Sequence, residues 1–264
     1  MKIATWNINS IKVRLPAVTQ YIQETSPDIL ALQETKSQDE NFPKAEIEKL
    51  GYSCVFTGQK TYNGVALIFK KTLSDVNLNP IKTPENEKRS IAAVFDNTLI
   101  LNLYVVNGQD VGTDKYQYKL RWLQTVFDYL KEATKKYKNI IVLGDFNIAP
   151  TDADVFDVEA TRDQILCSSK ERAFLGKFKT LGLNDLFTQF DYPEKTFSWW
   201  DYRGGAFHKN IGYRIDLILG SENIAKKCKE VYIDKHTRHK SWCKNEPRTS
   251  DHAPVVAIVD KEKP

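Results

Sequence analysis

Asp145 and Asn147 close the run Ile140-Ile-Val-Leu-Gly-Asp-Phe-Asn147. A carboxylate and an amide two residues apart can hold and polarise a water, as a hydrolase requires. Gly, Asp and Asn also close ordinary turns, so the pair gains meaning from the rest of the chain. Segments that read as strands end in polar groups repeatedly: Asn7, Glu34, Tyr104, Asp145, Asn147, Asp216, Asp251 and His252. Asp216 sits within the apolar run Ile215-Asp-Leu-Ile-Leu219, where an unpaired carboxylate costs several kcal/mol. His252 is its natural partner, because an Asp–His pair fixes the tautomer and raises the basicity of the ring. Glu34, Asp145 and Asp251 would repel one another on converging unless a cation lay among them. Oxygen ligands select Mg²⁺, with Mn²⁺ as a substitute, over zinc. Such a site suits hydrolysis of a phosphate ester. Any one of these acids alone is a solvated cap; as a set they form a candidate centre.

The elements that must position them follow from periodicity. Ile140 to Leu143, three of the four β-branched, reads as a strand buried on both faces, with Gly144 allowing a turn. Strands are also expected at Lys2 to Trp6, Asp28 to Leu32, 52–56, 64–69, 91–95, 99–106, 183–187, 214–219 and 254–259. Helices are expected at Leu15 to Glu24, Ala45 to Leu50, 170–181 and, most clearly, 115–136. In that last helix Leu120, Leu123, Phe127 and Leu130 share one face. Residues 148–172 read as an irregular surface segment. Ligands of open α/β sheets bind just beyond strand ends, where the candidate residues fall. Mixed strands and helices without a repeat or a linker imply one layered α/β domain spanning 1–264.

Composition is that of a soluble globular protein, with 41% hydrophobic and 27% charged residues. A net charge of +4 leans towards a polyanionic partner, and 11% aromatic residues allow base stacking or pocket building. The N-terminus lacks the apolar core of a signal peptide, and no apolar run is long enough to span a bilayer. Four scattered cysteines, without a CxxC pair, fit free thiols in a reducing cytoplasm.

The ordered segments Thr5-Trp-Asn-Ile-Asn9, Leu32-Gln-Glu-Thr35, Gly58-Gln-Lys, Gly64-Val-Ala, Gly144-Asp-Phe-Asn-Ile148, Tyr213-Arg-Ile-Asp216 and Ser250-Asp-His-Ala-Pro254 together resemble the exonuclease III family of apurinic/apyrimidinic (AP) endonucleases. The match runs from Lys2 to about Val259. The resemblance implies a four-layered α/β sandwich, two packed mixed sheets flanked by helices, with the site where both sheets end. It implies that Glu34 is the principal metal ligand, with Asn7 and Asp251 near the same ion. Asp145, helped by Asn147, would orient or deprotonate the attacking water. His252, held by Asp216, would stabilise charge on the scissile phosphate, and Tyr104 would contact that phosphate or assist the leaving group. Trp199, Tyr213 and Ile215 match the apolar pocket for a flipped-out, base-less sugar. The implied partner is duplex DNA with AP sites or 3′ ends, met by a monomer in the cytoplasm at the nucleoid.

Arg89 is either a contact to backbone phosphate or a solvated cation. Lys226 to Arg248 carries eight Lys or Arg against three acids and reads as an exposed basic loop for a phosphate backbone. His236, His239 and Cys243 within it have zinc-like spacing but lack a fourth ligand. Trp200 reads as core. Leu166, in Ile165-Leu-Cys-Ser-Ser169, is placed to crowd the sugar pocket, and Val106 stands where the family commonly has proline. Family members divide between AP-site incision and 3′-end trimming, so crowding bears on that balance. Two other readings are a phosphatase or phosphodiesterase of the same superfamily acting on a non-DNA ester, and a catalytically silent DNA-binding protein. The Trp199–Tyr202 block and the basic segment weigh against the first, and the full set of catalytic positions weighs against the second.

Overall fold

Most strands of this chain are largely apolar runs buried on both faces, so successive side chains have two destinations. The computed structural model describes residues 1–243 and 249–260. Numbering strands in chain order, one sheet runs β11 (Cys228–Ile233), β12 (Val255–Val259), β1 (Lys2–Asn7), β2 (Ile29–Gln33), β4 (Val65–Phe69) and β3 (Ser53–Thr57). The other runs β5 (Ser74–Leu78), β6 (Ser90–Phe95), β7 (Thr98–Tyr104), β8 (Asn139–Asp145), β10 (Asp216–Gly220) and β9 (Asn184–Asp185). The β1–β2 and β7–β8 pairs are parallel and the neighbouring pairs antiparallel, so both sheets are mixed. The first sheet carries α1 (Ile11–Thr25) on its outer face, with the short α2 (Lys44–Glu48) beside β3. The second carries α3 (Asp114–Lys136) and α5 (Ser169–Thr180). Two short helices, α4 (Val158–Thr161) and α6 (Glu222–Lys227), lie in connections. The expected four-layered sandwich is the fold observed.

Ile3, Ile29, Ala31, Ile100, Ile141, Leu143, Ile218 and Ala257 fill the space between the sheets. Their outward neighbours Leu99, Leu101, Leu103, Val142 and Leu217 meet Trp122, Leu123, Val126 and Leu130 of α3. Because strand side chains alternate, inward-facing positions continue to the strand ends: Asn7 after Ile3, Tyr104 after Ile100, Asp145 after Leu143, Asp216 before Ile218. Register does the rest, since Tyr104 lies opposite Asp145 and Asp145 opposite Asp216. Deeper between the sheets, Gln33 Nε2 donates to Asn102 Oδ1 at 2.7 Å, and Asn102 Nδ2 donates to the Leu32 and Ala66 carbonyls of the facing sheet. This polar tie spans an apolar interior and fixes how the sheets face each other.

Several expectations change. Gly144 does not make a turn; it is a strand residue at φ 146°, and a Cβ there would lie 1.9 Å from the Leu103 carbonyl oxygen. The strand expected over 99–106 ends at Tyr104, and that over 214–219 starts only at Asp216. The 183–187 stretch pairs for two residues and then turns into a 3₁₀ segment, Leu186–Gln189. Helix α1 starts at Ile11, capped by the Ser10 hydroxyl, so Pro16 lies inside it; the carbonyl its missing N–H would bond belongs to exposed Lys12. The buried stripe of α3 includes Lys119, Trp122 and Val126, while Leu120 and Phe127 pack only at its margin. Residues 148–172 are not simply superficial: Thr161, Leu166 and Cys167 are buried. β5, fully exposed, and α6 and β11, polar in sequence, were not expected. The supposed basic loop is thus partly helix and edge strand, and Arg238 is buried, donating to the Ser250 carbonyl at 2.7 Å. Lys244 and Arg248 lie outside the described residues. No helix among the described residues is long and apolar enough to cross a membrane.

Candidate active site

The inward-facing strand ends converge on one cluster. Asn7 Nδ2 donates to Asp145 Oδ2 at 2.9 Å and to Glu34 Oε2 at 3.0 Å, so one amide bridges carboxylates of different sheets. Glu34 follows β2 at φ 56° and also meets Lys36 Nζ at 2.9 Å. The Asp145 carboxylate folds back on its own turn, accepting Asn147 N at 2.9 Å and Asn147 Nδ2 at 3.3 Å. Asn147 holds a left-handed φ of 49°, a conformation this side chain tolerates better than most. Its Nδ2 also donates to the Val105 carbonyl, and its Oδ1 accepts Asn107 Nδ2 at 3.1 Å.

His252 and Asp216 form the expected pair, with Nδ1 2.9 Å from Asp216 Oδ2. Ser198 Oγ donates to the same carboxylate at 2.7 Å, and the ring's Nε2 stands 3.9 Å from Asp145 Oδ2. The neighbouring segment is anchored by Ser250, whose Oγ donates to the Asn7 carbonyl at 2.6 Å and accepts His252 N. Asp251 accepts Trp199 Nε1 at 3.0 Å and Asn9 Nδ2 at 3.3 Å.

Electrostatics follow from this burial. Desolvation pushes the Asp145 carboxyl up to about 7, Asp216 adds to the rise, and His252 and Asn7 oppose it. Burial alone would lower the His252 imidazolium, but Asp216, then Asp145 and Asp251, override it and push the ring up to about 10. The Tyr104 phenol, half-buried and hydrogen-bonded to Glu34, is held well above the usual tyrosine range by desolvation and by Glu34, and stays a neutral donor.

Asp145, Asp216 and His252 present ligand atoms within 4.8 Å of one another and could hold a metal ion. This is not the set read from sequence, which was Asn7, Glu34 and Asp251. Since His252 Nδ1 is committed to Asp216, the trio has the shape of a proton-handling pair beside a carboxylate. Glu34 and Asp251 supply oxygens of the kind a hard cation takes. Asn7 turns its NH₂ towards Glu34 and Asp145, an orientation assigned by the hydrogen-bond network.

Trp199, Tyr213 and Ile215 do come together, packed with Ala149, Val155, Ile165, Leu166 and Cys167. The Trp199 and Tyr213 rings are 5.7 Å apart, and Trp199 bridges to His252 through the backbone, which joins this apolar patch to the polar cluster. Leu166 is 9% exposed at φ 71° and packs in the same apolar cluster. Trp200 is core, packed with Phe197, Ala206 and Ala253. Arg89 is no solvated cation: its Nε pairs with Glu87 at 2.6 Å, its guanidinium lies 4.8 Å over the Tyr104 ring, and Nη1 donates to the Tyr104 carbonyl. It braces Tyr104 in this arrangement. The zinc reading fails among the described residues: His236 binds Asp234, His239 packs on Phe207, and Cys243 is buried beneath Trp6 and Tyr21. Ser250 stood only as the first residue of Ser250-Asp-His-Ala-Pro254, and Ser198, Asn107 and Lys36 went unassigned because nothing in their local sequence marks them. Only tertiary proximity does.

The sequence profile described as the endonuclease/exonuclease/phosphatase family matches residues 4–252. Exodeoxyribonuclease III of Haemophilus influenzae is 32% identical over 97% of this chain and 99% of its own. Among solved structures, a 3′ phosphatase from Neisseria bound to a product DNA hairpin superposes with a TM-score of 0.92 at 39% identity, covering 98% of this chain and 99% of that one. An AP endonuclease from Archaeoglobus fulgidus superposes with a TM-score of 0.91 at 34% identity, covering 98% and 99%. With the sheets, the register and the cluster already described, these likenesses settle the kinship: the chain belongs to the endonuclease/exonuclease/phosphatase family, on the side of the exodeoxyribonuclease III nucleases.

Proposed function

We propose that this chain is a Mg²⁺-dependent DNA repair nuclease that hydrolyses phosphodiester bonds on the 5′ side of AP sites and clears blocking groups or terminal nucleotides from 3′ ends. It would act as a monomer, in the cytoplasm at the nucleoid. The supporting observation is the joint hold of Asn7 on Glu34 and Asp145, with the Asp216–His252 pair on the far side of Asp145. Glu34 and Asp251 would hold the divalent ion, with the Asn7 amide beside it steadying Glu34 and Asp145. When bound, the ion supplies positive charge at the phosphoryl oxygens. Asp145 accepts the proton of the attacking water, and Asn147 fixes the rotamer of that carboxylate. His252, kept protonated by Asp216, donates to a phosphate oxygen. Tyr104, a neutral phenol, donates to the phosphate or the leaving oxygen.

The pocket of Trp199, Tyr213 and Ile215 takes the sugar, and Leu166 narrows it. A narrowed pocket favours termini, which enter without extrusion, over internal AP sites. Three duplexes carrying an AP site, a 3′-phosphate or a recessed 3′ end, digested with Mg²⁺ or with EDTA, test the reading. Cleavage only with Mg²⁺ is expected; equal cleavage in EDTA would refute the metal requirement. Leu166→Gly should raise AP incision relative to 3′ trimming by about tenfold, and an unchanged ratio would remove Leu166 from this role.

A further inference from the structure

Lys119 is the one charged residue on the buried face of α3, and its side chain is wholly inaccessible. Its ammonium spends all three protons: on the Asn107 carbonyl at 3.1 Å, on the Asn147 carbonyl at 2.6 Å, and on Glu171 Oε1. Glu171, on α5, is equally buried. Its Oε1 also accepts Leu166 N at 3.2 Å, and its Oε2 accepts Ser168 N at 3.1 Å and Ser168 Oγ at 2.6 Å. One ion pair thus grips the backbone of the Asp145–Asn147 turn on one side and of the pocket-wall loop on the other. A direct link runs beside it, Ala149 N to the Leu166 carbonyl at 2.8 Å. The packing is close as well, since a Cβ at Gly108 would lie 3.0 Å from both Ile165 Cδ1 and Lys119 Cδ.

A buried ion pair is a poor source of stability, because desolvation offsets much of the attraction. A core of the same shape could have been apolar. What an apolar pair could not do is order four backbone groups, from the segments after β7 and β8 and from the loop before α5. Leu166 needs such a hold, since a branched side chain at φ 71° does not keep that conformation unaided.

We propose that Lys119 and Glu171 are positioning residues that couple the aim of Asn147 to the width of the Leu166 pocket, so that catalysis and the choice between internal and terminal sites are set by one buried pair. This rests on the nuclease reading above. Glu171→Gln keeps the shape but turns an amide donor towards other donors, breaking one arm of the network. In that variant, hydrogen exchange should speed up by about tenfold in both 146–149 and 164–168. The kcat for AP-site and 3′-phosphate duplexes should fall together. The AP-to-3′ ratio of kcat/KM should shift by about fivefold in the direction that Leu166→Gly shifts it. Adding Glu171→Gln to Leu166→Gly should move the ratio by less than about twofold more, since the wall is already gone.

Faster exchange in only one segment, or an unchanged ratio in a folded variant, would overturn the coupling. Should Glu171→Gln not fold, Lys119→Met with Glu171→Met removes both charges together and carries the same measurements. Failure of both to fold would make the pair a folding determinant and overturn the positioning role. If the wild-type protein cuts neither duplex, the nuclease reading fails, while the exchange experiment still decides whether the pair couples the loops.

Discussion

In the proposed mechanism Asp145 would act as the base, and its surroundings are what would let it. An exposed aspartate would be too weak a base to take a proton at neutral pH; burial between the sheets pushes this one up to about 7. Being a raised carboxyl, it is ionised above that value and protonated below it. The kcat/KM of the wild-type enzyme should therefore fall about tenfold per pH unit as pH drops below 7. No loss should come from His252 between pH 7 and 9, because Asp216 keeps the ring charged up to about 10. A pH–rate profile checks this, and a plateau continuing down to pH 5 would contradict it. At this scale the sequence was informative wherever a polar group interrupted an apolar strand, as at Asp216. It left Arg89 between a phosphate contact and a solvated cation, because its stacking on Tyr104 depends on where two separate segments meet.

The strands turn residue types into a site. Tyr104, Asp145 and Asp216 sit in one row because β7, β8 and β10 are neighbours in register, and Gly144 permits the closest approach in that row. Gly144→Ala should force β7 and β8 apart, costing about 2–4 kcal/mol by urea unfolding and lowering kcat as the row loses alignment. A fully stable, fully active variant would mean that the register matters less than the contact distance implies. Short, largely apolar runs made β1, β2, β7 and β8 legible. The fully exposed β5 carries no such signal, and β11, an edge strand in a Lys-rich stretch, reads as a loop. Lys119 and Glu171 were missed for a related reason: on helices otherwise rich in solvated Lys and Glu, burial of two of them leaves no mark.

Across the whole molecule, two sheets present their polar ends at one rim, with the apolar cluster of Trp199, Tyr213, Ile215 and Leu166 beside it. A net charge of +4 supplies long-range attraction for a polyanion. Arg238 takes little part in it, since its guanidinium is buried against Tyr202 and Phe207, whereas Lys240 is exposed nearby. Binding to duplex DNA, measured in EDTA, should weaken by about a hundredfold or more between 50 and 200 mM salt. An affinity indifferent to salt would argue against a phosphate-backbone partner.

The proposed mechanism turns on a water held between Asp145 and a phosphate, with the Asn7 amide joining Asp145 to Glu34. Single-turnover cleavage by Asp145→Asn, with DNA affinity measured in parallel, tests this most directly. Turnover should fall by at least about 10³-fold while affinity stays within about threefold of wild type. Near-normal turnover by the folded variant would contradict it.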